Sequence, residues 1–211
     1  MKRYSVKSMF YTLQGEGVHS GQPAVFIRFT GCNFWSGREE DRASSACPFC
    51  DTDFVGTNGE EGGRLTSEEI AMRARELGGD CEIVVLTGGE PLLQVDKDLT
   101  NDLKSKGFQV HVETNGSKKI NKKELNLDWV TCSPKSKERH QLEMCDELKV
   151  IYPAQDPIFW STIIKAKHHF IQPEDGLGRT LEMSSILSVE FVKHNPGWRV
   201  SVQTHKVLGI Q

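Results

Sequence analysis

The sequence of 211 residues predicts an α/β fold with a mostly parallel sheet. Two observations predict it. Short runs rich in Val, Ile, Phe and Thr recur along the chain, and segments with helical spacing of apolar residues lie between them. Strands joined through helical crossovers run in the same direction, so the sheet they build is largely parallel.

The first expected strand is Ala24–Thr30, with a β-branched and aromatic centre at Val25-Phe26-Ile27. The polar segments Asn33–Ala46 and Val55–Arg64 read as surface loops. Thr66-Ser67-Glu68-Glu69 is a capping box, in which the Thr side chain accepts from the amide three residues on and Glu69 reaches back. Ile70, Ala74 and Leu77 then share one helical face, and Gly78-Gly79 ends the helix. Strand Ile83–Thr87 follows, then a helix from Leu92 to Lys106 with Leu92, Val95, Leu99 and Leu103 on its apolar face. Further strands are expected at Gln109–Thr114, Trp129–Ser133, Glu147–Tyr152, His168–Gln172 and Arg199–His205. A last helix is expected from Thr180 to His194, before the Asn195-Pro196-Gly197 turn. No internal repeat is visible, and residues 1–211 read as a single domain.

The net charge of −3 offers no global attraction to nucleic acid or to an anionic membrane. The longest apolar run, Ile83–Leu86, is strand-sized, and Met1–Phe10 alternates polar and apolar residues without a signal core. A cytoplasmic protein is expected, with neither nucleic acid nor membrane as partner. In a reducing compartment the six cysteines are metal ligands or buried thiols before they are disulfides.

Cys32 is followed by fourteen residues and then by Cys47-Pro48-Phe49-Cys50. Three thiolates are one short of a closed structural zinc site, which a His or Cys81 would complete. They suit equally well three irons of a [4Fe–4S] cluster whose fourth iron stays open. Spacing leaves both open. Thr87-Gly88-Gly89-Glu90-Pro91 falls at the C-terminal end of an expected strand, where α/β folds seat their ligands. Adjacent glycines there let the backbone approach a ligand closely.

Together these residues resemble the radical S-adenosylmethionine (SAM) superfamily. Phe49-Cys50 matches its aromatic-Cys ending, and Gly88-Gly89-Glu90-Pro91 its amino-acid-binding strand end. The commoner superfamily pattern has three residues between the first two cysteines. The fourteen here resemble one branch, the 7-carboxy-7-deazaguanine synthases of queuosine biosynthesis. Leu13-Gln14-Gly15-Glu16-Gly17, Arg28, Asp51-Thr52, Glu113-Thr114-Asn115-Gly116, Ser133-Pro134-Lys135 and Gln172-Pro173-Glu174-Asp175 follow in the order of that family, so the resemblance spans nearly the whole chain.

The resemblance implies an incomplete (β/α) barrel of the radical SAM type, with fewer than eight strands. It implies a lyase that contracts the ring of 6-carboxy-5,6,7,8-tetrahydropterin to 7-carboxy-7-deazaguanine with loss of ammonia, using a [4Fe–4S] cluster, SAM and Mg²⁺. Cys32, Cys47 and Cys50 would hold the cluster and Thr52 the Mg²⁺, with Asp51 close by. Leu13, Gln14, Gly15, Arg28, Thr87 and Gln211 would meet the pterin, Arg28 through its fork on the substrate carboxylate. Phe49, Asp51, Gly89, Ser133, Pro134, Lys135, Gln172, Pro173, Glu174 and Asp175 would surround SAM, with Glu90 near Gly89. A homodimer and an electron donor such as flavodoxin are implied too. Two rivals stand beside this reading: another radical SAM enzyme, such as a glycyl-radical activase, and a zinc-stabilised binding module. Cys81, Cys132 and Cys145 read as buried thiols, His168-His169 as packed residues, and His205 as at most facing the substrate.

Overall fold

A computed structural model describes residues 2–175 and 180–211. The chain opens with β1 (Tyr4–Leu13), β2 (Pro23–Phe29) and β3 (Gly63–Leu65), followed by α1 (Ser67–Gly78), β4 (Ile83–Gly88), α2 (Lys97–Ser105), β5 (Gln109–Thr114) and β6 (Trp129–Cys132). It continues through β7 (Met144–Tyr152), α3 (Pro157–Ile163), β8 (Lys165–Pro173), α4 (Leu181–His194), β9 (Trp198–Val200) and α5 (Thr204–Leu208). The strands form one sheet in the order β3-β1-β2-β4-β5-β6-β7-β8-β9. β2 and β4 to β9 run parallel, while β1 pairs antiparallel with both β2 and β3. The sheet is an unclosed barrel, as expected, but it has nine strands rather than fewer than eight. The additional strands are the antiparallel β1 and β3, and β1 is the alternating N-terminal segment.

Side chains alternate between the two faces of each strand, and that alternation separates core from site. Val25, Ile27 and Phe29 of β2, Val84 and Leu86 of β4, and Val110 and Val112 of β5 face the helices and belong to the main core. Their neighbours take the opposite, concave face, where Phe10, Ala24, Phe26, Ile83 and Val85 form a small apolar floor. Arg28 and Thr87 continue those inward rows toward the C-terminal ends of β2 and β4.

The capping box of α1 forms as expected, with Glu69 N donating to Thr66 Oγ1 at 3.2 Å and Thr66 N to Glu69 Oε2 at 2.7 Å. The single helix expected over 92–106 is instead a 3-10 turn at Pro91–Leu93 followed by α2. Glu90 caps the turn, and Asp96 accepts from Leu99 N at 3.1 Å to start a second helix. Gln94, between them, is held to the backbone of Ser5 and Thr30. Two competing caps divide what periodicity reads as continuous. The strand expected over 199–205 stops at Val200, because Thr204 N turns away to the Gly15 carbonyl (2.9 Å) and α5 begins. The α3 helix was not anticipated, although Asp156-Pro157 is a cap followed by a first-turn proline. The loop over 33–46 contains a 3-10 turn at Glu39–Ser44, and the loop over 55–64 runs into β3.

Candidate active site

At the C-terminal ends of the parallel strands the concave face opens into a cavity of about 640 Å³. Its wall follows the strand alternation: Arg28, Thr87, Glu113, Thr131 and Ser133, Lys149 and Ile151, and Gln172 project into it from successive strands. One rim is the loop after β2. Cys32, Cys47 and Cys50 all border the cavity, with Cys47 buried and the other two partly exposed.

Fourteen residues separate Cys32 from Cys47, yet the loop closes on itself, with Ala46 N donating to the Phe34 carbonyl at 3.2 Å. Phe34 N points at the Cys32 sulfur at 3.4 Å, and Asn115 Nδ2 approaches the same sulfur at 3.9 Å. A hydrogen bond from the Cys47 thiol, with support from the Thr52 amide, draws the Cys50 thiol down to about 6, while Cys47 is pushed up as the donor. Among the described residues no three His, Cys, Asp or Glu side chains converge on a point for a single ion. Cysteines that each hold a different corner of a cluster need only face a common space, and these three do.

The glycine pair after β4 explains itself sterically. A Cβ at Gly88 would strike the backbone of Phe29, and one at Gly89 would lie 2.8 Å from the Cys32 Cβ. Gly89 N reaches the Phe29 carbonyl at 3.3 Å and Glu90 N the Gly31 carbonyl at 2.9 Å, so the two strand ends run side by side and set the position of Cys32. Glu90 itself is fully buried and lies outside the cavity wall. Its carboxylate accepts from Thr114 Oγ1, Asn115 N and Leu92 N, and burial lifts it to about 7.

Arg28 faces the cavity rather than solvent, its guanidinium 5.8 Å from the Phe10 ring centroid. It makes no ion pair or side-chain hydrogen bond among the described residues, and burial lowers its pKa despite Glu113 and Asp51 nearby. Glu113 accepts from Gln14 Nε2 and Thr87 Oγ1, both at 3.1 Å. Deeper in, Lys149 is ion-paired with Glu16. Burial opposes charge on both partners; their mutual attraction overrides it, lowering Glu16 and raising Lys149.

On the far wall, Gln172 Oε1 and Glu174 Oε2 are buried and have no hydrogen-bond partner among the described residues. Lys135 Nζ donates to Ser133 Oγ at 2.9 Å and sits 5.2 Å from the Phe49 ring centroid. The segment after β9 closes the remaining side. His205 lies against the Gly15 backbone where a side chain would collide with it, Gln203 Nε2 donates to Glu16 Oε1 at 2.9 Å, and Thr12 Oγ1 donates to the Gln211 carbonyl at 3.0 Å.

Of the site residues expected from the sequence, all but one border this cavity, from Leu13, Gln14 and Gly15 to Asp175 and Gln211. Pro134 does not; its carbonyl accepts from Gln155 Nε2 at 2.6 Å behind the wall. Sequence reasoning missed Lys149, Gln203 and Lys206, and saw Glu113 only as part of a motif. The period of two would have found Glu113 and Lys149, which stand on the inward rows of their strands as Arg28 does on β2.

Three cysteines at the rim of an open, parallel-stranded barrel define the class: this is a radical SAM protein, and residues 41–146 match the family described as the Radical SAM superfamily. Its cofactors are a [4Fe–4S] cluster and SAM, and the three cavity-facing thiols and unpartnered acceptors fit them. The chain is 45% identical to the 7-carboxy-7-deazaguanine synthase of Burkholderia multivorans over 98% of its length and 99% of that protein. It is 45% identical, over the same shares, to the synthase of that name from Caulobacter vibrioides. The crystal structure of QueE from Escherichia coli superposes with a TM-score of 0.66 at 27% identity, covering 96% of this chain and 95% of that one. The chain belongs to the 7-carboxy-7-deazaguanine synthase family.

Proposed function

We propose that the protein contracts the ring of 6-carboxy-5,6,7,8-tetrahydropterin to 7-carboxy-7-deazaguanine with loss of ammonia, a lyase step in queuosine biosynthesis. The observation that carries this reading is the unpartnered Arg28 guanidinium in a cavity that also faces Cys32, Cys47 and Cys50. A half-buried guanidinium with no ion-pair partner among the described residues is a ready site for a carboxylate. The cluster and SAM, when bound, would supply radical chemistry for hydrogen abstraction at the substrate.

Cys32, Cys47 and Cys50 hold the cluster in this reading. Arg28 clamps the substrate carboxylate, while Thr87 and the chain at Leu13, Gln14 and Gly15 border the ring, with Gln211 beside them. Glu113 keeps Gln14 and Thr87 in place through its two hydrogen bonds. Gln172 Oε1 and Glu174 Oε2 accept from donors of SAM, and Phe49, Asp51, Gly89, Ser133, Lys135, Pro173 and Asp175 complete that end. Burying these acceptors unpaired carries a desolvation penalty that a ligand's donors relieve. Thr52 holds Mg²⁺ with water and the substrate carboxylate, an oxygen-rich set of the kind Mg²⁺ prefers.

The protein acts as one domain, in the cytoplasm, with flavodoxin or a similar protein as reductant. A homodimer is supported by α4, whose buried face carries Ser184 and Ser188 while Leu181, Met183, Ile186 and Val189 are exposed. Among the described residues no helix is long and apolar enough to cross a membrane.

The test is anaerobic incubation of reconstituted protein with dithionite, SAM, Mg²⁺ and the pterin, with products read by mass spectrometry. Formation of 7-carboxy-7-deazaguanine is expected. Release of 5′-deoxyadenosine without that product would reject the substrate and keep the radical chemistry.

A further inference from the structure

The loop between Cys32 and Cys47 holds a cation that reaches the cysteine turn. Arg42, in the 3-10 turn Glu39–Ser44, stacks 4.2 Å from the centroid of Trp35. Its Nη1 donates to the carbonyl of Pro48 at 3.0 Å and to that of Cys50 at 2.8 Å, while its Nε pairs with Glu39. Trp35 is fixed in turn, with Nε1 donating to the Arg38 carbonyl at 3.0 Å and its ring edge-to-face with the fully buried Phe54. The guanidinium is thus anchored on an aromatic face and bridges two carbonyls that flank the second and third cysteines.

We propose that Arg42 is a positioning residue for the iron–sulfur cluster, and that the fourteen-residue loop exists to present it. In a three-residue gap, local geometry sets the first two cysteines relative to each other. Across fourteen residues that constraint is gone, and two devices replace it. The Phe34–Ala46 hydrogen bond closes the loop neck and brings Cys32 beside Cys47. The Arg42 Nη1 group then bridges the Pro48 and Cys50 carbonyls while Nε is held on Glu39, which fixes the Cys47–Cys50 turn from its outer side. Lysine keeps the charge and loses the second donor on Glu39 and the planar group stacked on Trp35. The Arg42 charge behind Cys50, offset in part by the exposed Glu39, also stabilises the more negative, reduced form of the cluster, which raises its midpoint potential. The inference depends on the cluster and not on the pterin reaction.

The test compares Arg42→Gln and Arg42→Lys with wild type, reconstituted without SAM or pterin. Three quantities are read: the rate of iron loss to a chelator, the midpoint potential by EPR-monitored titration, and the melting temperature of the iron-free chain. Both variants are expected to lose iron faster, by about tenfold, since partners that orient metal ligands are worth about 10- to 100-fold in metal affinity. Only Arg42→Gln is expected to shift the potential to more negative values, because Arg42→Lys retains the charge. Wild-type loss rates and potentials in Arg42→Gln would overturn the proposal. So would equal shifts of potential in both variants accompanied by an equal fall in the melting temperature of the iron-free chain, which marks Arg42 as a fold-stabilising residue only.

Discussion

Lys206 Nζ lies 3.0 Å from the Asp51 carboxylate, so the C-terminal helix α5 is fastened to the turn that follows Cys50. The same ammonium reaches Asp175 at 3.2 Å, at the end of β8. One cation therefore joins the cysteine turn, the last long strand and the chain end across the cavity mouth, and both carboxylates raise its pKa although burial opposes them. Exposed pairs of this kind contribute less than about 1 kcal/mol. Lys206→Met is expected to leave the melting temperature nearly unchanged and to raise the KM for both SAM and pterin. A large loss of stability with unchanged KM would show that the bridge serves the fold alone.

Arg28 separates binding from stability in the opposite sense. Arg28 is half-buried with no ion-pair partner among the described residues, so its charge is held against partial desolvation, with Glu113 and Asp51 nearby. Arg28→Met is expected to melt at the wild-type temperature or above it while losing pterin binding, as measured by calorimetry on the reconstituted protein. Arg28→Lys keeps charge without the planar fork, and its KM for pterin is expected to rise. Equal KM values for Lys and Arg at this position would remove the substrate contact.

Glu147, beside the cavity, gives the fold a pH dependence. Burial lifts its carboxyl from 4.5 to about 7, against the pull of the Val18 amide and Lys149. A carboxyl raised in the folded state contributes stability that is complete below about 4.5 and is lost as pH climbs through about 7. Glu147→Gln is expected to match wild type near pH 4.5 and to exceed it at pH 8, by up to about 3 kcal/mol on the scale of 1.36 kcal/mol per unit. Denaturant melts across that range check it; parallel curves for the two proteins would assign the burial no such effect.

Gly89→Ala tests the close pass of the two strand ends. The added methyl would meet the Gly31 carbonyl and the Cys32 Cβ, and overpacking of this kind destabilises by about 1–3 kcal/mol. Iron content after reconstitution is expected to fall with stability. Gly197→Ala, where the methyl meets open space, is the matched control and is expected to retain iron.

Substituting Thr52 bears on magnesium. Thr52→Ala is expected to slow turnover and to flatten the response to added Mg²⁺. A response identical to wild type would take Thr52 out of the metal site.

The parallel strands, the capped helix α1 and the chemistry at the cavity rim are legible in the residues alone. Those features are local: a β-branched run, a Thr-x-x-Glu box and a Cys-x-x-Cys turn each carry their physics within a few residues. Nearly every site residue that motif order pointed to lies on the cavity wall, because the C-terminal ends of parallel strands converge on one rim. Tertiary structure alone decided the rest. The short β3 needed β1, distant in sequence, as its partner, and the break in the helix over 92–106 depended on Gln94 meeting Ser5 and Thr30. The inward direction of Arg28, the Lys149–Glu16 pair and the reach of Lys206 to Asp51 follow from which face of the sheet is concave and where the chain end crosses it. A strand's alternation is written in its residues; which side becomes the cavity is set only when the whole sheet curls.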